Sequence, residues 1–452
     1  MVLGWRRRRI SHHAGKKHPD VELVVPNHFR CPISLELMKD PVTLSSGITY
    51  DRESIETWLE AGNFTCPATN QILRNFDQIP NHTLRKMIQD WCVEKKNFGV
   101  ERIPTPRIPV SPIEVSEILF SVAASARRLD QYRCLELVQK IEKWGGESER
   151  NKRCIVANGT AAVLAAAFDA FANDSVERNA TVLEEILCAL NWMFPLDVET
   201  QISFGTQASL RCMVWFLRCK DLSPKQNSIV ALKELVSCDQ HIAEKLSDIE
   251  GVIEILVEFI RKQICPIITK ASLTIIFHLI SFPCSSEKIK LTFVRIGLVS
   301  LLLEILVDSD KSICEKALGA FDGLCGCKEG REEAQSNALT VPVLVKKILR
   351  VSDLATEYSI SALLKLCKYG GRDEGRVLVE ALQVGAFQKL LLVLQVGCGD
   401  EAKEKATVLM KLLNPYRAGL ECIDSVDFKN LKRSFWNCEE KILYLLYLLI
   451  SF

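Results

Sequence analysis

A chain of 452 residues exceeds an ordinary single domain, so two or more domains or one extended repeat array are expected. Hydrophobic residues make up 48% and charged residues 25%, the balance of a core-forming soluble protein, and a net charge of +1 gives no overall pull toward nucleic acid or membrane. Eighteen cysteines are scattered along a sequence that opens MVLGWRRRRI, without the apolar segment of a secretory signal, so free thiols in a reducing compartment (cytosol or nucleus) are expected. No apolar run reaches the roughly 18 residues of a membrane span.

Residues 1–25 form a basic tail in which Arg6 to Arg9, Lys16 and Lys17 accompany His12, His13 and His18. A solvated terminus is the plain reading and nuclear import the functional one. Residues 26–98 carry FRCPISLELMKDPVTLSSGITYDRESIETWLEAG followed by NFTCPATNQILRNFDQIPNHTLRKMIQDW. Two irregular loops, at Cys31-Pro32-Ile33 and Cys66-Pro67, flank a short helix. A core of roughly 60 residues is small, so something must hold these loops. Zinc would require paired ligands at spacings such as C-x2-C, whereas Cys31, Cys66 and Cys92 stand singly and His28 and His82 do not complete a tetrahedral set. Hydrogen bonds and packing, with no metal or cofactor, are therefore expected to hold them. Asp51 is placed to N-cap a helix from Arg52, its carboxylate facing the amides of Glu53 and Ser54. Ile55, Trp58 and Leu59 share one face of that helix and Gly62 ends it. Asn81 caps a second helix with the stripe Leu84, Met87, Ile88, Trp91 and Cys92. Turns at Asp40-Pro41 and Ser46-Gly47 bracket a strand over Val42 to Leu44, with Ile48 to Tyr50 as its partner.

Pro104, Pro106, Pro109 and Pro112 make residues 99–113 a semi-rigid linker. From Ile113 the pattern is helical and repetitive. Gly159, Gly205, Gly251 and Gly297 stand 46 residues apart, Gly385 follows 88 later, and a further unit begins near Ala338. Five residues after each of those five glycines comes a leucine: Leu164, Leu210, Leu256, Leu302 and Leu390. Units of this length with two or three helices mark armadillo or HEAT stacks. About six units over 114–418, the stretch 113–150 serving as a divergent cap, would stack into a right-handed α-solenoid. Cys314, Cys325 and Cys327 read as small buried hydrophobes rather than a metal or redox centre. The tail 419–452 ends in an apolar run too short for a bilayer and more like a helix packed on the last repeat.

CPISLELMKDPVTLSSGITYDR, TCPATNQ and IPNHTLRKMIQDWC together resemble a U-box, the zinc-free relative of the RING domain. With the repeats, the chain resembles plant U-box/armadillo E3 ubiquitin ligases, especially the elicitor-responsive CMPG type. The resemblance implies a mostly α protein: a small α+β U-box followed by an armadillo solenoid. It implies a U-box without a nucleophile that positions a ubiquitin-charged conjugating enzyme (E2) for attack by a substrate lysine. It implies Ile33, Leu35, Trp58 and Pro67 as E2-facing positions, the solenoid as the substrate-binding half, and a setting in plant defence or stress. On residue type alone Trp58 also suits a core aromatic, and Ile33 and Pro67 also suit loop packing. Some U-boxes carry an arginine three residues after the second-loop proline, where it clamps E2 and ubiquitin. Asn70 stands there instead, without a guanidinium fork. Activity is then weaker, depends on another residue such as Arg74, or uses Asn70 itself.

A non-catalytic armadillo adaptor is the alternative kept open by Asn70. A nuclear transport adaptor would show Trp followed by Asn four residues on, which none of Trp144, Trp192 and Trp215 does. A ligase with a cysteine nucleophile would need an activating neighbourhood that no cysteine visibly has.

Overall fold

We describe a computed structural model over residues 25–103, 109–281, 287–369, 375–396 and 398–417. The basic residues of the amino-terminal tail, linker positions Pro104 and Pro106, and the tail 419–452 lie outside the described residues. Two compact units divide between Pro109 and Val110. No single helix among the described residues is long and apolar enough to cross a membrane.

The first unit contains strands β1 (Pro41–Thr43), β2 (Thr49–Asp51) and β3 (Ile79–Pro80) and helices α1 (Arg52–Glu60) and α2 (His82–Glu94). The sheet runs β2-β1-β3, antiparallel throughout, with Val42 opposite both Tyr50 and Pro80. Val42, Tyr50, Ile55 and Cys92 are fully buried and Ile88 nearly so. The α2 stripe turns its Ile88–Cys92 edge inward, which leaves Met87, on the other edge, 48% exposed rather than in the core. Asn81 does cap α2, its Oδ1 accepting from Leu84 N–H at 2.9 Å.

Asp51 stands at the N-cap position of α1 but makes no side-chain cap. Its Oδ1 accepts from Lys39 N–H at 2.7 Å and Asp40 N–H at 2.8 Å. Two convergent amides from the turn before β1 have displaced the amides of the helix, and burial holds this carboxyl above its ordinary range in spite of them. The linker is also narrower than 99–113. Val100 and Ile103 pack on the core of the first unit, and Pro112 already opens a helix, where Ser111 and Glu114 form a capping box.

The second unit opens with helices Pro112–Arg127 and Gln131–Glu147, followed by six described triplets of short, middle and long helices, for example Glu287–Arg295, Leu298–Asp308 and Lys311–Leu324. Each long helix packs on that of the next triplet, so one triplet's apolar face is covered only by its neighbour. Leu164, Leu210, Leu256, Leu302 and Leu390 are all completely buried in this continuous core. Four of the five periodic glycines precede their middle helix at positive φ, between 73° and 83°. Gly205 does not: a Cβ there would lie 2.5 Å from Ile242 Cδ1, so close packing, not backbone handedness, calls for glycine. Cys314, Cys325 and Cys327 are buried side chains, and burial pushes the Cys325 thiol up.

Candidate functional site

The two proline-bearing loops are one backbone design used twice. In the first, Cys31 N–H donates to Glu36 O, Leu35 N–H to Cys31 O and Met38 N–H to Phe29 O, each at 2.8 Å. In the second, Cys66 N–H donates to Gln71 O and Asn70 N–H to Cys66 O at 2.8 Å, and Leu73 N–H to Phe64 O at 3.0 Å. Leu35 and Asn70 occupy the same place and share the left-handed conformation, with φ of 60° and 55°. Asparagine tolerates that conformation, whereas leucine is strained by about 1 kcal/mol there. The strained leucine is also 67% exposed, so packing does not explain it.

Adjacent residues of β2 hold both loops. Asp51 N–H donates to Cys31 Sγ at 3.3 Å. The fully buried Tyr50 receives Ala68 N–H at 3.1 Å and lies 3.0 Å from Cys66 Sγ. The phenol oxygen accepts from Ala68 and shares a hydrogen bond with the sulfur. Burial alone would raise the Cys66 thiol, but the hydroxyls around it, Tyr50 among them, outweigh burial and bring it down to about 6. Trp58, half-buried on α1, closes the arrangement by donating Nε1–H to Thr65 O at 2.9 Å. Among the described residues no three His, Cys, Asp or Glu side chains gather as a metal site.

The sequence-predicted positions lie on the two loops that β2 and α1 hold. Ile33 and Leu35 lie on the first loop, Pro67 and Asn70 on the second, and Trp58 ties α1 to the base of the second. Ile33, Leu37, Ser54 and Thr57 line part of a shallow depression of about 350 Å³ between the first loop and α1. Asn81 is not at this surface: its Nδ2 lies 3.4 Å from the hydroxyls of Thr43 and Thr49, joining α2 to the hairpin. Two positioning residues were not singled out from sequence. Tyr50 looked like an ordinary strand residue, and Asp40, read only as a turn, receives Arg52 Nε at 2.7 Å and also bonds Arg85. An acidic residue facing arginines in two later helices was the available signal.

Tyr50→Phe should leave both Ala68 N–H and Cys66 without their shared partner, at a cost of about 2 kcal/mol. Hydrogen exchange should show residues 64–73 losing protection while the solenoid is unchanged. Cys66 adds a pH dependence. Its thiol ionises more readily folded than unfolded, so its contribution is complete above the ordinary thiol value of 9.0 and disappears as pH falls through about 6. Melting temperature measured across that window should vary less with pH in Cys66→Ala than in the wild type.

A U-box domain model matches residues 25–97, and the plant U-box protein ARM repeat region matches residues 114–433. The chain belongs to the plant U-box family with armadillo repeats. It is 46% identical over 423 residues to U-box domain-containing protein 21 of Arabidopsis thaliana, covering 93% of this chain and 95% of that one. U-box domain-containing protein 20 of the same plant is 42% identical over 448 residues, 96% and 100% of the two chains. The Arabidopsis E3 ubiquitin-protein ligase PUB23 is 34% identical over 404 residues, 87% and 93% of the two. Within this U-box family member, the twin loops present apolar side chains such as Leu35 and Ile72 on a hydrogen-bonded frame.

Proposed function

We propose that this U-box protein is an E3 ubiquitin ligase that binds ubiquitin-charged E2 through its twin loops and a protein substrate through its armadillo solenoid, in plant defence or stress signalling and in the cytoplasm or nucleus. The observation that carries the E2 surface is the exposed, left-handed Leu35 beside half-buried Ile33, matched by half-buried Pro67 on the second loop. A few apolar anchors on a rigid frame suit a small transient interface. Cys66 ionises readily but is completely buried, out of reach of an E2 thioester, so acceleration comes from orienting the E2-bound ubiquitin toward an incoming lysine. Trp58 supports the second loop through Thr65 and adds apolar surface next to it.

Asn70 favours the second reading, a scaffold that holds E2 and substrate without accelerating transfer. Its amide is exposed and carries no charge. Single-turnover discharge of charged E2 onto free lysine separates the two. On the ligase reading the chain accelerates discharge, Ile33→Ala and Pro67→Ala each reduce it by about tenfold or more, and Asn70→Arg increases it. No acceleration with any of a panel of E2s favours the scaffold.

A further inference from the structure

One basic cavity in the solenoid has no part in the surface described above. It has a volume of about 370 Å³ and lies between consecutive triplets. Ser309, Lys311 and Cys314 line it from the first turn of helix Lys311–Leu324 and the residues before it. Lys346, Lys347 and Arg350 line it from the end of helix Thr340–Lys347 and the turn that follows. Lys347 is 7% exposed, yet its ammonium bonds only Cys314 Sγ, at 3.2 Å, among the described residues. A thiol sulfur is a weak acceptor that also donates, here to Ser309 O at 3.2 Å, and an ammonium has three hydrogens to place. Burying a cation without an anion is unfavourable, so this geometry asks for one. Lys311, Lys346 and Arg350 are exposed at the mouth, and none of them forms an ion pair among the described residues. The start of the 14-residue helix adds no free positive end to this field, because the Asp310 carboxylate caps it by accepting from Ile313 N–H at 3.0 Å. Lys389, from the next triplet, fixes the turn by donating to the carbonyls of Val345, Lys346 and Ile348 at 2.7–3.1 Å, so the cations are held in place.

We propose that this cavity binds the phosphate of a phosphorylated serine or threonine in a protein segment lying on the solenoid. A carboxylate would leave most of the four cations unanswered, whereas a phosphate monoester carries close to two charges and three acceptor oxygens. The deepest cation is recessed, which suits a phosphate on a side-chain stem better than the flat face of a bilayer. A single pocket in a chain of net charge +1 lacks the track of cations that a nucleic-acid backbone needs. The proposal rests on the solenoid being the substrate-holding half, and it makes that half phosphorylation-dependent.

Fluorescence polarisation with the full chain tests it, without E2 or ubiquitin, so the result is independent of ligase activity. The probes are fluorescein-labelled degenerate peptides with a central phosphoserine or phosphothreonine, beside the same peptides unphosphorylated. Phosphorylated peptides should bind at least tenfold tighter, millimolar inorganic phosphate should compete, and the double variant Lys346→Gln/Arg350→Gln should lose about tenfold in affinity. Lys347→Met should lose more; where removing the buried ammonium disturbs folding, the exposed double variant decides. Equal affinity for both peptide sets, or an unchanged double variant, would overturn the proposal. So would preference for vesicles containing phosphatidylinositol bisphosphate over the phosphopeptides.

Discussion

Asp40→Asn should lower the stability of the U-box unit by about 3 kcal/mol, among the largest effects of any single substitution in it. The Asp40 carboxylate takes Arg52 Nε on one oxygen and Arg85 on the other, with side-chain exposures of 21%, 18% and 14%. It thereby joins the turn before β1 to the start of α1 and the body of α2. Asparagine keeps the shape and one acceptor but leaves two half-buried guanidiniums with no counter-charge there. Arg85 Nε is already buried without a partner, so α2 has little margin. The partial exposure places the effect at the lower end of the range for a broken buried pair. Differential scanning calorimetry of the full chain should show the U-box transition falling by roughly 12–24 °C, given 4–8 °C per kcal/mol for a domain of this size. Because these groups are shielded from solvent ions, the shift should persist in high salt, whereas an exposed pair would lose its effect.

Gly330→Ala should destabilise the solenoid by about 3 kcal/mol, opposite in sign to the usual result. Replacing glycine by alanine inside a helix is ordinarily favourable by about 1 kcal/mol. Gly330 lies in helix Lys328–Ser336, but a Cβ there would stand 2.1 Å from Leu324 O and 3.2 Å from Cys327 Sγ. The carbonyl cannot simply withdraw, since it accepts from Cys327 N–H at 3.2 Å. Arg331 holds the same turn by donating Nη1–H to Cys325 O at 3.1 Å and to Gly326 O at 3.0 Å. Gly146→Ala is the matched control. It is an exposed helical glycine whose Cβ would meet nothing within 4 Å, so it should stabilise slightly. Urea denaturation of the two variants should move the solenoid midpoint in opposite directions.

The solenoid was legible because a stacked unit repeats its demands. The 46-residue glycine spacing and the leucine five residues on mark the start and the buried face of each middle helix. Gly205 kept the spacing for a reason that only packing against Ile242 reveals. In the U-box the cap at Asn81 could be read from the helix it starts, whereas Asp51 could not. Two sets of amides lay within its reach, and only the folded turn brings those of Lys39 and Asp40 closer. The twin-loop design is written as Phe-x-Cys-Pro at Phe29 and Phe64, but its left-handed position is disguised. Asparagine at 70 suits that backbone and leucine at 35 does not, so local preference hides their equivalence. Tyr50 and Lys347 were invisible as positioning groups because their partners are set by tertiary structure, 16 and 33 residues away in sequence.

On the proposed function, hydrogen bonds rather than a metal hold the two apolar-tipped loops for E2. A self-ubiquitination assay with activating enzyme, E2, ubiquitin and ATP, run with and without a chelator, tests it most directly. The wild type should build ubiquitin chains equally well in both conditions, while Ile33→Ala and Pro67→Ala should fail in both. Activity lost to the chelator and restored by zinc, or chains undiminished in both loop variants, would contradict it.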